Sequence, residues 1–234
     1  MSIVNPLIIL SPALSLLIAI IPVFVFKPNL RVVIASAGAY FIAILLKFIL
    51  QLLLGTYITK SSIYIQSLFY GSLTAILEVG FAFLFALRFR DYSKKKAFSY
   101  GSMLAFWENG VLFGLLGLLS TATLIALQNY NSTLAQQIIQ AQPILAYSTP
   151  QLLPYIGYSA LERISSFLAH ASWGSTAYYF SVTHSKELFI IILLGYIDAL
   201  VPLINAGIVP LYLGELAIFT PSLIAFIISY KKLP

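Results

Sequence analysis

Residues 63–90 read IYIQSLFYGSLTAILEVGFAFLFALRFR, an apolar run with one carboxylate at Glu78 and a basic exit at Arg88 and Arg90. A run of about 25 such residues, rising 1.5 Å each, is long enough to cross a hydrocarbon core of ~30 Å. Glu78 falls about ten residues before Arg88, close to the midplane of that span. An ionisable group at that depth costs on the order of 2.5–3.5 kcal/mol and marks a functional site by default.

Three more ionisable residues fall at the same level. Glu108 lies about ten residues into the segment that leaves the basic connector, and His170 about twelve residues before the end of its segment near Val182. Asp198 lies about ten residues beyond Lys186 and Glu187. At 1.5 Å per residue all four sit roughly 15–18 Å from one membrane face. Four costly groups at one depth read as a single polar site.

The rest of the chain agrees with a membrane protein. It is 60% hydrophobic and 9% charged, which excludes an ordinary soluble domain. Seven apolar segments can be marked, at about 4–26, 32–55, 63–88, 99–127, 155–181, 188–206 and 208–230. The expectation is an all-α, polytopic transmembrane helix bundle of about seven spans (six to eight), forming a single domain over 1–234. The first segment lacks a basic n-region and reads as a retained span. There is no cysteine, so no disulfide, thiol nucleophile or thiolate metal site is available.

Charge placement sets an expected topology. Lys27, Arg31, Arg88, Arg90, Lys94, Lys95, Lys96, Lys186, Lys231 and Lys232 collect on one side, and only Lys60 on the other. The positive-inside rule then puts the N-terminus outside and the C-terminus in the cytoplasm of a multi-pass cell-membrane protein. This accounts for the net charge of +6 without nucleic-acid binding. It also makes 88–98 a basic cytoplasmic connector and 128–154 an uncharged external loop. Asn131-Ser132-Thr133 in that loop fits the N-glycosylation acceptor pattern. Leu134, Ile138, Ile139 and Leu145 recur at near-helical spacing, as in a short interfacial helix, although a plain connector is the simpler expectation.

Beside the midplane groups lie residues suited to holding them. Asn109 and Gly110 follow Glu108 and offer a hydrogen bond and close helix approach. On the fifth segment Arg163, Ser166 and His170 share a face, and Glu162 next to Arg163 suggests a structural ion pair. Asp198 reads as a third carboxyl of the site, as a partner for Arg163, or as the cap on a helix break made by Pro202. Lys47 is placed near the outer end of its span, where it can snorkel. Glu215, between Pro210 and Pro221, reads as closing a kinked helix. No His-Glu-x-x-His motif, nucleophile elbow or glycine-rich phosphate loop is present. The chain therefore reads as cofactor-free, with His170, Glu78 and Glu108 the one set at which a divalent metal could be held.

The order of these residues resembles the YhfC family of intramembrane proteases, relatives of the CPBP and PrsW glutamate proteases. Glu162-Arg163 followed by His170 looks like that family's Glu-Arg-x-x-Ala-x-x-x-His helix, with Ser166 where the family commonly has alanine. The N-terminal spans around Lys27 and Arg31, with Gly38 to Phe41 beyond, also look similar, as does the run from Ile76-Leu77-Glu78 to Glu108. The family's paired glutamates are here Glu78 followed by Val79, and two of its histidines are Leu104 and Leu194.

The resemblance implies hydrolysis of a peptide bond in a membrane-protein substrate, with Glu78 or Glu108 as general base toward water. It implies that His170 binds or polarises the scissile carbonyl and that Asp198 orients His170. Two other classes compete: a non-catalytic membrane scaffold or partner subunit that keeps the fold, and a proton- or cation-coupled transporter. A scaffold would leave no wet cavity among these groups, and a transporter commonly carries repeat symmetry, of which the sequence shows none.

Overall fold

The computed structural model describes residues 4–186 and 189–234, so Glu187, at the end of the fifth connector, lies outside the described residues. Every regular element in them is helical. Backbone hydrogen bonds closed within each segment are what lipid demands, since the hydrocarbon core offers none.

A short 3₁₀ turn, Pro6–Ile9, runs into α1 (Leu10–Phe26), and α2 (Leu30–Thr59) follows. A third rod consists of α3 (Ile63–Leu73), a π-helical turn Thr74–Glu78 and α4 (Val79–Ala86). The fourth consists of α5 (Lys94–Ala105), a π-helical stretch Phe106–Leu116 and α6 (Gly117–Tyr130). Then come α7 (Ser132–Ala141), the 35-residue α8 (Thr149–Thr183), a 3₁₀ segment Phe189–Ala199, α9 (Leu200–Asn205) and α10 (Leu211–Lys232). Five helices are long and apolar enough to cross a membrane: Pro6–Phe26, Leu30–Thr59, Ile63–Ala86, Lys94–Gln128 and Leu211–Lys232.

The ends are written in local chemistry. Asn29, Ser62, Ser93 and Asn131 each accept a backbone N–H of the first turn, and Ser148 with Gln151 forms a capping box. At the other end, α1 and α8 stop at Lys27 and His184, which take the left-handed backbone at φ 49° and 58°.

The loop 128–154 is more than a connector. Ala135 and Ile139 of α7 are buried, and Ile139 and Leu145 pack with Val4, Ile8, Leu124, Leu152 and Ile156 in a small second core. The Asn5 N–H donates to the Leu145 carbonyl at 2.8 Å, which ties the start of the chain to this loop. Of the apolar residues noted in the sequence, Ile139 is buried on α7 and Leu145 on the 3₁₀ turn Pro143–Ala146 that follows, Ile138 is partly buried, and Leu134 stays exposed.

Two close crossings position everything else. Gly101 on α5 meets Gly174 on α8 so tightly that a Cβ on Gly174 would lie 2.5 Å from the Gly101 Cα. Around that contact pack Phe98, Tyr100, Trp173 and Tyr178, all essentially inaccessible. Small residues that let backbones touch are the usual device where lipid removes the hydrophobic drive between helices. The second crossing sets Gly195 of the 3₁₀ segment on Ala75 of the π-helical turn, where a Cβ would again lie 2.5 Å from a Cα.

Candidate functional site

The first crossing delivers α8 against the π-helical stretch, and the second delivers the 3₁₀ segment against the π-helical turn. Glu78 and Glu108 both sit on π-wound backbone, and Asp198 sits on 3₁₀ backbone. A departure from 3.6 residues per turn re-aims a side chain by tens of degrees, and single π turns recur at functional sites. Eleven π-wound residues are tolerated here because Gly110, Gly114 and Gly117 let α1 close on them at Ala19, Leu16 and Pro12. Ser15 on α1 donates to the Asn109 carbonyl at 2.6 Å, satisfying one group of the altered ladder.

Glu78, Glu108 and His170 converge. The Nε2 of His170 lies 3.3 Å from Glu78 Oε2 and 3.3 Å from Glu108 Oε2. The ring is pinned from behind, where Nδ1 meets the Ser166 carbonyl at 2.9 Å. A proton on Nδ1 donated there leaves Nε2 facing the carboxylates, and the tautomer is set by that bond. Tyr40 and Trp173 flank the imidazole, with ring centroids 6.4 and 4.5 Å away. Nε2 itself is buried and makes no aligned hydrogen bond.

The two glutamates are held in parallel fashion, each with Oε1 on a cation and Oε2 toward His170. Glu78 Oε1 pairs with the Lys47 ammonium. Glu108 Oε1 accepts from Arg163 Nη1 at 3.2 Å and from the Ser166 hydroxyl at 3.1 Å. Arg163 also bonds Glu162 and donates to Asn109 Oδ1 at 3.1 Å, while Asn109 Nδ2 donates back to the Arg163 carbonyl at 3.0 Å. The guanidinium stands 3.8 Å over the Phe113 ring. Arg163 is thus the tie between α8 and the π-helical stretch, and the sequence-based pairing of Glu162 with Arg163 extends to Glu108 and Asn109.

Asp198 is placed differently from the expectation. It neither meets Arg163 nor orients His170, a task done by the Ser166 carbonyl. Instead Oδ2 accepts from the Thr74 hydroxyl and lies 3.5 Å from the Lys47 ammonium. Lys47 therefore joins the site rather than snorkelling outward. The sequence signal was present, a lone charge in an apolar run, but its depth was misjudged: α2 continues to Thr59 and not to 55, which puts Lys47 about twelve residues from the end. Tyr40 and Thr74 were also missed, and neither carries a sequence signal that sets it apart from ordinary packing residues.

Apart from the fully buried Asn109, these groups line one cavity of about 470 Å³, and Glu162 and Glu215 line it as well. Among the described residues, five acidic side chains face that space, with Lys47 and Arg163 as its basic residues and His170 as its imidazole. One ligand atom each from Glu78, Glu108 and His170 lies within 4.8 Å of the others, so the set could hold a metal ion. Asn131, by contrast, lies far along the chain on an exposed turn, its Oδ1 accepting the Leu134 N–H at 3.0 Å.

Comparison with protein-family models, with curated proteins and with solved structures finds no match to this chain. The function must be argued from the site itself.

Proposed function

We propose that this chain is an intramembrane hydrolase of the glutamate-protease type, cleaving peptide bonds of membrane-embedded substrates. The observation that carries the reading is the meeting of Glu78 Oε2, Glu108 Oε2 and His170 Nε2 at the wall of a cavity. A scaffold whose polar groups merely satisfied one another would close over them. The reading also leans on the likeness of Glu162, Arg163 and His170 to the YhfC pattern.

Glu108 is the more open of the two carboxylates, at 16% side-chain exposure against 7% for Glu78. It takes a proton from a water in the cavity as that water attacks the carbonyl carbon. His170, as the imidazolium with its Nδ1–H on the Ser166 carbonyl, donates its Nε2–H to the carbonyl oxygen as it becomes an oxyanion. Glu108 then returns the proton to the departing amine as the C–N bond breaks. Lys47 and Arg163 keep both carboxylates turned toward the imidazole throughout.

A divalent cation is a second reading of the same atoms, favoured by the unpartnered Nε2 and by its 3.3 Å separations from both carboxylates. Ligands at ~2.0–2.1 Å from a tetrahedral ion stand about 3.3 Å apart. Such an ion, held by Glu78, Glu108 and His170, would supply Lewis-acid polarisation of carbonyl or water.

In this reading α8 and the segment 189–205 also cross the bilayer, which gives seven spans with the N-terminus outside. Single cysteines at positions 131 and 95 of the cysteine-free chain test the orientation. An impermeant thiol reagent on intact cells should label the first and spare the second, and the reverse pattern would overturn it.

The function is tested by comparing the membrane proteome of cells carrying wild type or Glu108→Gln, with Glu78→Gln and His170→Asn beside it. Each substitution should lower cleavage by about two orders of magnitude or more while melting temperature stays nearly unchanged. Metal analysis of wild type and Glu108→Gln separates the two readings. If no membrane-protein fragment depends on Glu108 and all three substitutions lower stability, the hydrolase reading fails.

A further inference from the structure

The ion pairing in the cavity is incomplete. Glu78 and Asp198 share Lys47, and Glu108 and Glu162 share Arg163, so four carboxylates have two basic residues between them, with His170 between Glu78 and Glu108. The fifth acid, Glu215, has no basic residue within ion-pair distance among the described residues. It is 6% exposed, and its Oε2 is buried without a hydrogen-bond partner. Protonation alone would not satisfy that oxygen, since a buried carboxyl still needs a partner for it. Glu215 sits one turn into α10, and the neighbouring cavity wall includes Asn205 and Leu211 at the α9–α10 turn.

We propose that Glu215, with Glu162 lining the same cavity, forms a subsite for a protonated amine or guanidinium, distinct from the atoms of Glu78, Glu108 and His170 that meet one another. A cation there supplies the missing partner of Glu215 and offsets the carboxylate excess of the whole cavity. The inference deepens the hydrolase reading by naming its substrate class: a chain bearing a lysine, arginine or free amino group near the bond to be cut.

The experiment reads binding, not turnover. Purified protein in detergent is titrated with phenethylammonium and, separately, with phenethyl alcohol, a neutral molecule of similar shape that fits the same volume. Melting temperature and the fluorescence of Trp173, which lines the cavity, report occupancy. The ammonium should give a saturable response and the alcohol none. Glu215→Gln should weaken the ammonium about tenfold or more, the scale of a lost charge-assisted hydrogen bond, while Glu215→Asp keeps part of the affinity. Should Glu215→Gln fail to fold, Glu162→Gln serves in its place and should also weaken binding.

Glu108→Gln, which removes one charge from the cavity but leaves Glu215 in place, should weaken the ammonium far less than Glu215→Gln does. An equal response to alcohol and ammonium, or an affinity unchanged by Glu215→Gln, overturns the subsite. Loss of binding in Glu108→Gln alone also overturns it, by placing the cation at the other centre. Ammonium binding that depends on Glu215 in a protein that cleaves nothing would sink the hydrolase reading and leave the subsite as one for free amines. Cleavage sites without nearby basic residues would limit it in the same way.

Discussion

Along α8, the turns from Trp173 to Tyr178 and the turns from Glu162 to His170 meet different neighbours. The former press onto α5 through Gly174 on Gly101 and are enclosed by Phe98, Tyr100 and Phe89. Ser175 and Tyr178 are hydrogen-bonded there, the Tyr178 hydroxyl donating to the Asp91 carbonyl at 3.0 Å. Trp173 Nε1 and the Thr176 hydroxyl are buried without a partner among the described residues. The latter face the π-wound stretch 106–116, and between them lies the cavity. One helix therefore carries an anchor and a site. Regular α-winding with glycine contact makes the anchor, and departure from that winding makes room for the site and turns the carboxylates into it.

The anchor is where a substitution should cost most. Gly174→Val would drive a branched side chain into the Gly101 backbone, which cannot yield as a flexible side chain could. Overpacking with backbone shifts typically costs about 1–3 kcal/mol, occasionally more, and a branched side chain whose Cβ falls 2.5 Å from a backbone atom lies beyond that range, above the cost of a broken ion pair. Loss of most folded protein in detergent extraction is expected. A variant that melts like wild type would show that the crossing is not the anchor.

Next in size is Arg163→Ala, which strands Glu108 and Glu162 and frees Asn109. Breaking a buried pair costs about 3–5 kcal/mol, so a large drop in melting temperature is expected. Unchanged thermal stability would mean that the site is not fastened to the anchor through this residue.

Lys47→Met should be milder, about 1–3 kcal/mol as for a hydrogen bond to a charged group, because Lys47 is more open than Arg163, at 14% side-chain exposure against 5%. Its distinguishing effect should be on function, since Glu78 loses the contact that turns Oε2 to His170. A Lys47→Met protein with full activity and lowered stability would make Lys47 a structural partner only.

The smallest effect lies outside the spans, at Asp91 between α4 and α5. Its hydrogen bond from Lys96 holds the carboxyl below its ordinary value of 3.8. A depressed carboxyl adds stability above its unfolded pKa, and that increment is lost as pH falls through the lower folded value. Asp91→Asn should therefore melt slightly below wild type at neutral pH in low salt, and the two should converge below pH 4. Exposed pairs are weak and screened. A large difference at neutral pH would mean that this connector bears on the anchor.

Much of this architecture is legible in the chain. Apolar runs locate the five helices long enough to cross a membrane to within about five residues, and Asn29, Ser62, Ser93 and the Ser148–Gln151 pair mark where helices begin. The depth count brings Glu78, Glu108 and His170 to one level, because rise per residue is nearly constant along a helix. The same count fails for Lys47, since a shift of four residues at the end of α2 moves it from the rim to the interior.

What the sequence by itself determined is an apolar, all-helical chain whose Glu78, Glu108 and His170 fall at matching positions along their segments, because apolar length and charge position are properties of each segment alone. Which groups touch was decided only in the tertiary structure. Rotation about each helix axis depends on local winding, and the π and 3₁₀ stretches at 74–78, 106–116 and 189–199 break the 100° per residue that a sequence reading assumes. That winding persists because neighbouring helices close on it through Gly110, Gly114 and Gly195. So Asp198 found Thr74 and Lys47 instead of Arg163, and Glu215 came to face a cavity whose other charges lie far from it along the chain.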